Sequence, residues 1–415
     1  MKWIKPSKIS GTLRAPASKS MMLRATAAAL LSKGESQIIN PSFCDDALAG
    51  LRIAKALGAY VEREDQLTKI KGGRSLQKTI LNCSESGLCM RMFTPVAALF
   101  NKKITVTGTG TLMTRPVEMM EQPLNQLGAY CETNSGFPPI QVKGPIKGGK
   151  IRIDGSISSQ FLTGLLMALP LCRDDSELIV NDLKSKPYVA MTLSLLDQFG
   201  ISIYSEKDLR RFFIKGNQCF QNTTYIVEGD WSAASFLLVA GALRGKVTVN
   251  NLQIESLQAD KKILEVLKIT GAGIFKMKDT VSAEQNKLEA FEFDATECPD
   301  LFPPLVALAC SCIGRSRITG VERLKHKETD RAHTLLTEFS KVGAKIKIIK
   351  DRMEIEGTRL KGGIIDSHND HRIAMAGAVA GLTTEKGVLI DGWECVSKSY
   401  PCFFKDLKSV GGNIV

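Results

Sequence analysis

Apolar stretches of helical period, each ended by a glycine, recur along the chain, and most run on into a strand-like segment such as residues 344–349. The ends read Leu57-Gly58-Ala59, Leu127-Gly128-Ala129, Phe199-Gly200-Ile201, Thr270-Gly271-Ala272, Val342-Gly343-Ala344 and Val410-Gly411-Gly412. These glycines stand 70, 72, 71, 72 and 68 residues apart. A glycine after the last apolar turn predicts a left-handed C-cap, a conformation that a residue without Cβ adopts at little cost. The spacing is longer than that of solenoid and propeller repeats, so each copy reads as a small βαβαβ-type unit. Six such units make the chain.

Each copy also opens with a helix of small residues behind a polar or charged group. The openings are Ser18-Lys19-Ser20 with Arg24, Glu85-Ser86-Gly87 with Arg91, Ser158-Ser159-Gln160, Asp230-Trp231-Ser232, Asp300, and Asn369-Asp370-His371-Arg372. Ser, Asp and Asn are ordinary N-caps. Lys and Arg are not, because the first turn is the positive end of the helix dipole. Yet Lys19, Arg24, Arg91, Lys327, Arg331 and Arg372 all fall in or near such starts. Their recurrence predicts helix starts and basic side chains that together face an anionic ligand.

Three strings sharpen this. Lys19, Ser20 and Arg24 can reach one anion from one helical face. Lys327 and Arg331 are four apart with Glu328 beside them, at the start of an amphipathic helix that follows the strand-like residues 317–320. Residues 373–381 are too small and apolar to make a surface face, which predicts a buried helix whose charged start needs partners or a ligand.

At 415 residues the chain has room for two or three domains, and six repeats divide three and three near Val227-Glu228-Gly229. A net charge of +12 favours anionic partners, but there is no Lys/Arg block and only 6% of residues are aromatic. Small phosphorylated or carboxylated ligands are expected, and nucleic acid is not. The eleven cysteines lack framework spacing, and Met1-Lys2-Trp3-Ile4-Lys5-Pro6 carries no apolar signal core. The longest apolar stretches, 161–172 and 373–382, are too short to cross a bilayer, so free thiols in a reducing cytoplasm are expected, with no membrane partner. Cys310-Ser311-Cys312 lies in the apolar run 305–313 and predicts core packing. Four histidines, with His368 and His371 far from any cysteine, predict no metal site. Thr107-Gly108-Thr109-Gly110-Thr111 leads to Arg115-Pro116 instead of a phosphate-loop lysine, so no nucleotide cofactor is expected.

The ordered set Ser18-Lys19-Ser20 with Arg24, Ser86-Gly87 with Arg91, Arg115-Pro116, Ser158-Ser159-Gln160, Ser185-Lys186-Pro187-Tyr188, Lys327-Glu328-Thr329-Asp330-Arg331 and Asn369-Asp370-His371-Arg372 resembles the 5-enolpyruvylshikimate-3-phosphate synthase family. With Lys398 it covers nearly the whole chain, and the last two strings are the most specific. The resemblance implies an α/β (α+β) fold, a two-domain inside-out α/β barrel of six βαβαββ repeats. It implies domains of 1–17 with 229–415, and of 18–228, with the active site in the cleft between them. The implied reaction moves the enolpyruvyl group of phosphoenolpyruvate to the 5-hydroxyl of shikimate 3-phosphate and releases phosphate, in a monomer, without cofactor or metal.

By motif, the resemblance assigns Lys19, Gly87, Arg91, Arg115, Gln160, Arg331, Arg372 and Lys398 to phosphoenolpyruvate. It assigns Lys19, Ser20, Arg24, Ser158, Ser159, Gln160, Ser185, Tyr188, Asp300 and Lys327 to shikimate 3-phosphate, and Lys19, Asp300 and Glu328 to catalysis. Two residues depart from the family pattern. Glu85 opens Glu85-Ser86-Gly87-Leu88 where Asn-Ala-Gly-Thr is common, and Arg323 stands where Asn is common; both are left out of the binding sets. The nearest alternative is enolpyruvyl transfer to UDP-N-acetylglucosamine, which typically goes with a cysteine in the loop before Arg115-Pro116, and residues 110–116 contain none. A non-catalytic polyanion-binding module would need its cations spread over an outer face.

Overall fold

In the computed structural model, which describes residues 1–73 and 75–415, each of the six copies is a four-stranded sheet with two helices. The third copy shows the plan. Strand Gly149–Asp154 passes through helix Gln160–Ala168 to the parallel strand Ser176–Asn181, in register from Gly149 opposite Ser176 to Asp154 opposite Asn181. Helix Lys186–Gln198 follows, and a hairpin of Ile203–Ser205 and Arg211–Ile214 returns antiparallel, with Ile214 opposite Ser176. A parallel pair requires a crossover and an antiparallel pair only a turn, so the unit is βαβαββ. All six sheets share the order first, second, fourth, third.

Three sheets take a strand from elsewhere in the chain. Thr224–Ile226 pairs with Glu35–Ile39 as a first strand, and Ile9–Arg14 does the same for Gly245–Asn250. Lys2–Lys5 fills the fourth place between Val388–Asp391 and Asn413–Ile414. The barrel of the expected architecture needs correction. Hydrogen bonding stops at the edges of each sheet, and among the described residues no sheet closes on itself.

The chain divides into two compact units, Ala17–Val227, and Met1–Pro16 with Glu228–Val415, each holding three of the sheets. In the first unit the opening helices Lys19–Leu31, Gly87–Ala97 and Gln160–Ala168 are buried over almost their whole length. In the second, Trp231–Arg244, Phe302–Ala309 and His371–Gly381 are buried likewise. Helices apolar on all sides belong in an interior, and their alanines and glycines let them approach closely. A Cβ on Gly164 would sit 2.6 Å from the Met92 carbonyl oxygen, so only glycine permits the packing of Gln160–Ala168 on Gly87–Ala97. The second helix of each copy ends at one of the landmark glycines, and all six have positive φ, from 74° at Gly200 to 116° at Gly58. Buried helices of this kind meet solvent only at their ends. That is where the polar residues gather.

Candidate active site

The first unit gathers its polar groups at three helix starts. Ser86 caps helix Gly87–Ala97, its hydroxyl accepting from the Cys89 amide at 3.4 Å. Gly87 is the first residue of that helix, and Arg91 lies one turn on, 4% exposed. Arg91 Nη1 donates to Gln160 Oε1 at 2.9 Å and Nη2 to the Pro116 carbonyl at 3.1 Å. Arg115 follows the short 3-10 turn Gly110–Thr114 and is 6% exposed. The surroundings of Gly87 show how they converge. A Cβ there would stand 3.0 Å from Arg115 Nη1, 3.1 Å from Arg91 Nη1 and 3.5 Å from Gln160 Oε1. Two guanidiniums therefore flank the positive end of a helix, an arrangement suited to a phosphate or carboxylate.

The helical spacing predicted that Lys19, Ser20 and Arg24 could reach one anion; in the structure Lys19 and Arg24 engage different partners. Lys19 Nζ turns to Asp46 Oδ2 at 3.0 Å. Arg24 is 1% exposed because its face of the helix is interior, and it donates to Thr192 Oγ1 at 2.9 Å, to the Ser20 carbonyl at 2.9 Å and to the Tyr188 carbonyl at 3.3 Å. Burial pushes the Arg24 guanidinium down to about 10. Thr192 and Thr163 are linked at 3.2 Å, and Thr163 donates to the Ser159 carbonyl, also at 3.2 Å. Arg24 thus ties the starts of three helices, bringing Ser20, Ser159 and Tyr188 into one network. Ser158 accepts from the Gln160 amide at 3.2 Å, and Ser185 caps Lys186–Gln198 from a left-handed backbone at φ 58°.

Glu85, excluded from the binding sets, accepts from the Thr111 hydroxyl at 3.5 Å and lies against Gly110. Its carboxylate thus braces the loop that leads to Arg115.

The second unit holds a denser cluster. Arg331 is the first residue of helix Arg331–Lys341 and is wholly buried. Its Nη1 meets Asp300 Oδ1 at 2.9 Å, its Nε meets Asp370 Oδ2 at 2.9 Å, and its Nη2 meets Glu328. Arg372 Nη2 meets the other oxygen of Asp300 at 3.1 Å, and Lys327 Nζ approaches Asp300 Oδ1 at 3.4 Å. Lys398 Nζ donates to the Asn369 carbonyl at 2.5 Å. Desolvating a guanidinium costs several kcal/mol, and three carboxylates are needed to offset it here.

The expected helical face shared by Lys327 and Arg331 is corrected: the helix begins at Arg331, and Lys327 and Glu328 lie in the bend before it. Asp300, not helical spacing, brings the two cations together.

The charges set one another's protonation. Burial by itself would push the Asp300 carboxyl up, but Arg372, Lys327 and Arg331 outweigh it and hold the group well below the usual carboxylate range. Burial opposes the charge on Arg331, and Asp370, Glu328 and Asp300 more than restore it. Lys327 is lowered chiefly by burial, against the pull of Asp300. Sequence reasoning gave no role to Asp46 or to the carboxylate of Asp370. The signal for both was available, since a cation at a buried helix start requires a counter-ion.

Among the described residues no group of three or more His, Cys, Asp or Glu could hold a metal ion, and no helix is long and apolar enough to cross a membrane.

On the assignment that the resemblance implies, replacing Gly87 by alanine is expected to raise the KM for phosphoenolpyruvate about tenfold or more, since small displacements of positioning groups are costly. The crowded atoms are the far ends of two arginines and a glutamine, which can move, so the fold should survive. Affinity for shikimate 3-phosphate, read by equilibrium binding, should change little. Equal losses for both ligands would point to a folding defect at the turn instead.

Comparison with known proteins bears on this geometry. Residues 4–407 match the family described as EPSP synthase (3-phosphoshikimate 1-carboxyvinyltransferase). The chain is 40% identical to the 3-phosphoshikimate 1-carboxyvinyltransferase of Clostridium novyi, over 99% of this chain and 97% of that protein. It is also 40% identical to the protein of that name from Clostridium acetobutylicum, with the same coverage. Among solved structures, EPSP synthase of Acinetobacter baumannii superposes with a TM-score of 0.85 at 25% identity, over 100% of this chain and 99% of that one. The enolpyruvyl transferase NikO from Streptomyces tendae shares the fold, with a TM-score of 0.80 at 16% identity over 100% and 98% of the two chains.

Proposed function

Because the chain belongs to the EPSP synthase family, it is an enzyme that transfers the enolpyruvyl group of phosphoenolpyruvate to the 5-hydroxyl of shikimate 3-phosphate, and we propose that the clusters described above carry this reaction. The reaction releases phosphate and belongs to the shikimate pathway of aromatic amino acid biosynthesis. On this reading Lys19, Gly87, Arg91, Arg115, Gln160, Arg331, Arg372 and Lys398 hold phosphoenolpyruvate. Lys19, Ser20, Ser158, Ser159, Gln160, Ser185, Tyr188, Asp300 and Lys327 hold shikimate 3-phosphate, and Arg24 serves it by fixing Ser20, Ser159 and Tyr188. The observation that carries the reading is the convergence of Arg91, Arg115 and Gln160 over Gly87.

The chemistry needs two proton movements, and the acids present suit them. Asp300, held ionised by three cations, accepts the proton of the 5-hydroxyl as its oxygen bonds to C2 of phosphoenolpyruvate. C3 takes a proton from one of the two proton-transfer residues, Glu328 or Lys19, and becomes a methyl. The tetrahedral intermediate then loses phosphate from C2 and a proton from C3, restoring the enol double bond. Cations at helix starts stabilise the charge that gathers on phosphate as it leaves. The same reading places the enzyme in the cytoplasm as a monomer.

Phosphate release from phosphoenolpyruvate tests the acceptor. It should occur with shikimate 3-phosphate and not with UDP-N-acetylglucosamine; release with the UDP-sugar alone would overturn the reading. Thiols should take no part. All eleven cysteines are unpaired, nine are buried, and Cys402 is exposed. Burial pushes the Cys131 thiol up to about 12 and raises that of Cys89 as well. Alkylation at neutral pH should therefore label Cys402 first without loss of turnover, and the Cys89→Ser, Cys131→Ser double variant should remain active. Loss of activity in a folded double variant would restore a thiol-dependent mechanism.

A further inference from the structure

Helix Arg331–Lys341 meets the segment around Asp370 twice. At its start Arg331 donates to Asp370 at 2.9 Å. Glu338 lies about two helical turns on and so faces the same way. Its side chain is wholly buried, yet the chemistry above gives it no part. A carboxylate in such a place needs both oxygens filled. Its Oε2 accepts from the Asp366 amide at 3.0 Å. Its Oε1 takes the Lys341 ammonium at 2.7 Å and His368 Nε2 at 2.8 Å. The ammonium favours the ionised form, which can only accept, so His368 presents an N–H at Nε2.

The segment that Glu338 grips is a bend under strain. Strand Gly363–Asp366 ends there, and Ser367, His368 and Asn369 turn the chain to Asp370, which caps helix His371–Gly381. His368 and Asn369 both sit at positive φ, 48° and 59°. A left-handed backbone at residues with side chains persists only where the surroundings hold it. The Ser367 hydroxyl supplies part of the hold, donating to the Gly392 carbonyl at 3.0 Å and accepting from the Asn369 amide at 3.2 Å. Glu338 adds a grip on Asp366 before the bend and on His368 within it. On its other side the bend serves the cations. The Asn369 carbonyl accepts from Lys398 Nζ at 2.5 Å, and Asp370 accepts from Arg331 and from the Arg372 amide.

We propose that Glu338, acting through His368 and the Asp366 amide, is a positioning residue for enolpyruvyl transfer that fixes the bend 367–369 and with it the places of Lys398, Arg331 and Arg372. This rests on the assignment of those three cations to phosphoenolpyruvate made above.

The full-length enzyme, assayed with both substrates, tests it. Asparagine at position 368 accepts a left-handed backbone but is too short to reach Glu338, so His368→Asn breaks the link and spares the turn. It should raise the KM for phosphoenolpyruvate about tenfold, as expected for a lost hydrogen bond to a charged group, with the KM for shikimate 3-phosphate within about twofold of wild type. Glu338→Met, similar in length but without an acceptor, should raise the first KM at least as far. The double variant should be no worse than Glu338→Met alone, since both changes break one link. His368→Gln, whose side-chain amide can still donate to Glu338, should recover most of the loss. Lys341→Ala removes the other partner of Oε1 without touching the bend, and its KM should match wild type.

Lys398→Met separates the two levels of the argument. If it raises the KM for phosphoenolpyruvate while folded His368→Asn and Glu338→Met enzymes do not, the positioning role is refuted and the Lys398 assignment stands. If Lys398→Met leaves that KM unchanged, the assignment fails and the proposal with it. Equal losses for the two substrates, or the same rise in Lys341→Ala, would leave Glu338 a structural residue and overturn the proposal. Should Glu338→Met lose its cooperative thermal transition, His368→Asn, altered at a side chain 46% exposed, carries the same test.

Discussion

Asp300→Asn is expected to lower kcat by about 10²–10⁴-fold, the range for loss of a positioned general base, while shikimate 3-phosphate still binds. The basis is the crowd around this carboxylate. Both oxygens are engaged, one by Arg331 and Lys327 and the other by Arg372, which keeps the group ionised but weakly basic in the ligand-free enzyme. Phosphoenolpyruvate brings a phosphate and a carboxylate to compete for the same cations. On the proposed assignment, the turning of these cations to the substrate takes counter-charge from Asp300 and makes it a stronger base when a hydroxyl is present to deprotonate. Asparagine keeps the shape and the acceptor oxygen but cannot take a proton. Arg331 retains Asp370 and Glu328 in the variant, so the fold should hold; a thermal midpoint close to wild type checks this. Turnover within a few-fold of wild type in a folded Asp300→Asn enzyme would remove Asp300 from the base role.

Much of the frame was legible in the chain because its signals are local. A glycine at positive φ after an apolar turn leaves the same mark six times, and a helix such as His371–Gly381 announces its burial by having no polar face. The sheets were harder to read. Strands of three residues, such as Thr224–Ile226 and Glu292–Asp294, carry too little alternation to stand out, and the partner of Lys2–Lys5 lies at the other end of the sequence. At the candidate site, sequence located the cations but not their partners. It read Lys19, Arg24, Arg331 and Arg372 as charges facing a ligand, whereas Asp46, Thr192, Asp370, Asp300 and Ser232 already engage them. Such pairings join residues tens to hundreds of positions apart, and no periodicity encodes them. Burial without a ligand demands them all the same, so a basic helix start in an apolar chain predicts a carboxylate somewhere else in it.

Glu328→Gln is expected to cost a comparable factor, about 10²–10⁴ in kcat, but at the other proton transfer. Glu328 meets Arg331 in the bend that precedes Arg331–Lys341, at a helix start where negative charge is favoured. Its position ties it to a cation assigned to phosphoenolpyruvate, whereas Asp300 also contacts Lys327, assigned to shikimate 3-phosphate. Glutamine preserves length and can still accept from Arg331, but it cannot exchange a proton with C3. The two variants should therefore fail differently. Wild-type enzyme turning over in deuterium oxide should place deuterium in the product methylene, because C3 passes through a methyl group. Under single-turnover conditions Glu328→Gln should slow this labelling and product formation together. Arg331 provides the internal control: its removal would leave Asp300, Glu328 and Asp370 without their shared cation and should cost about 3–5 kcal/mol of stability, as for any broken buried ion pair. Glu328→Gln leaves Arg331 two carboxylates and should shift the thermal midpoint far less. A Glu328→Gln enzyme that labels and turns over at the wild-type rate would move the C3 proton to another group, and Lys19 would be the first to test.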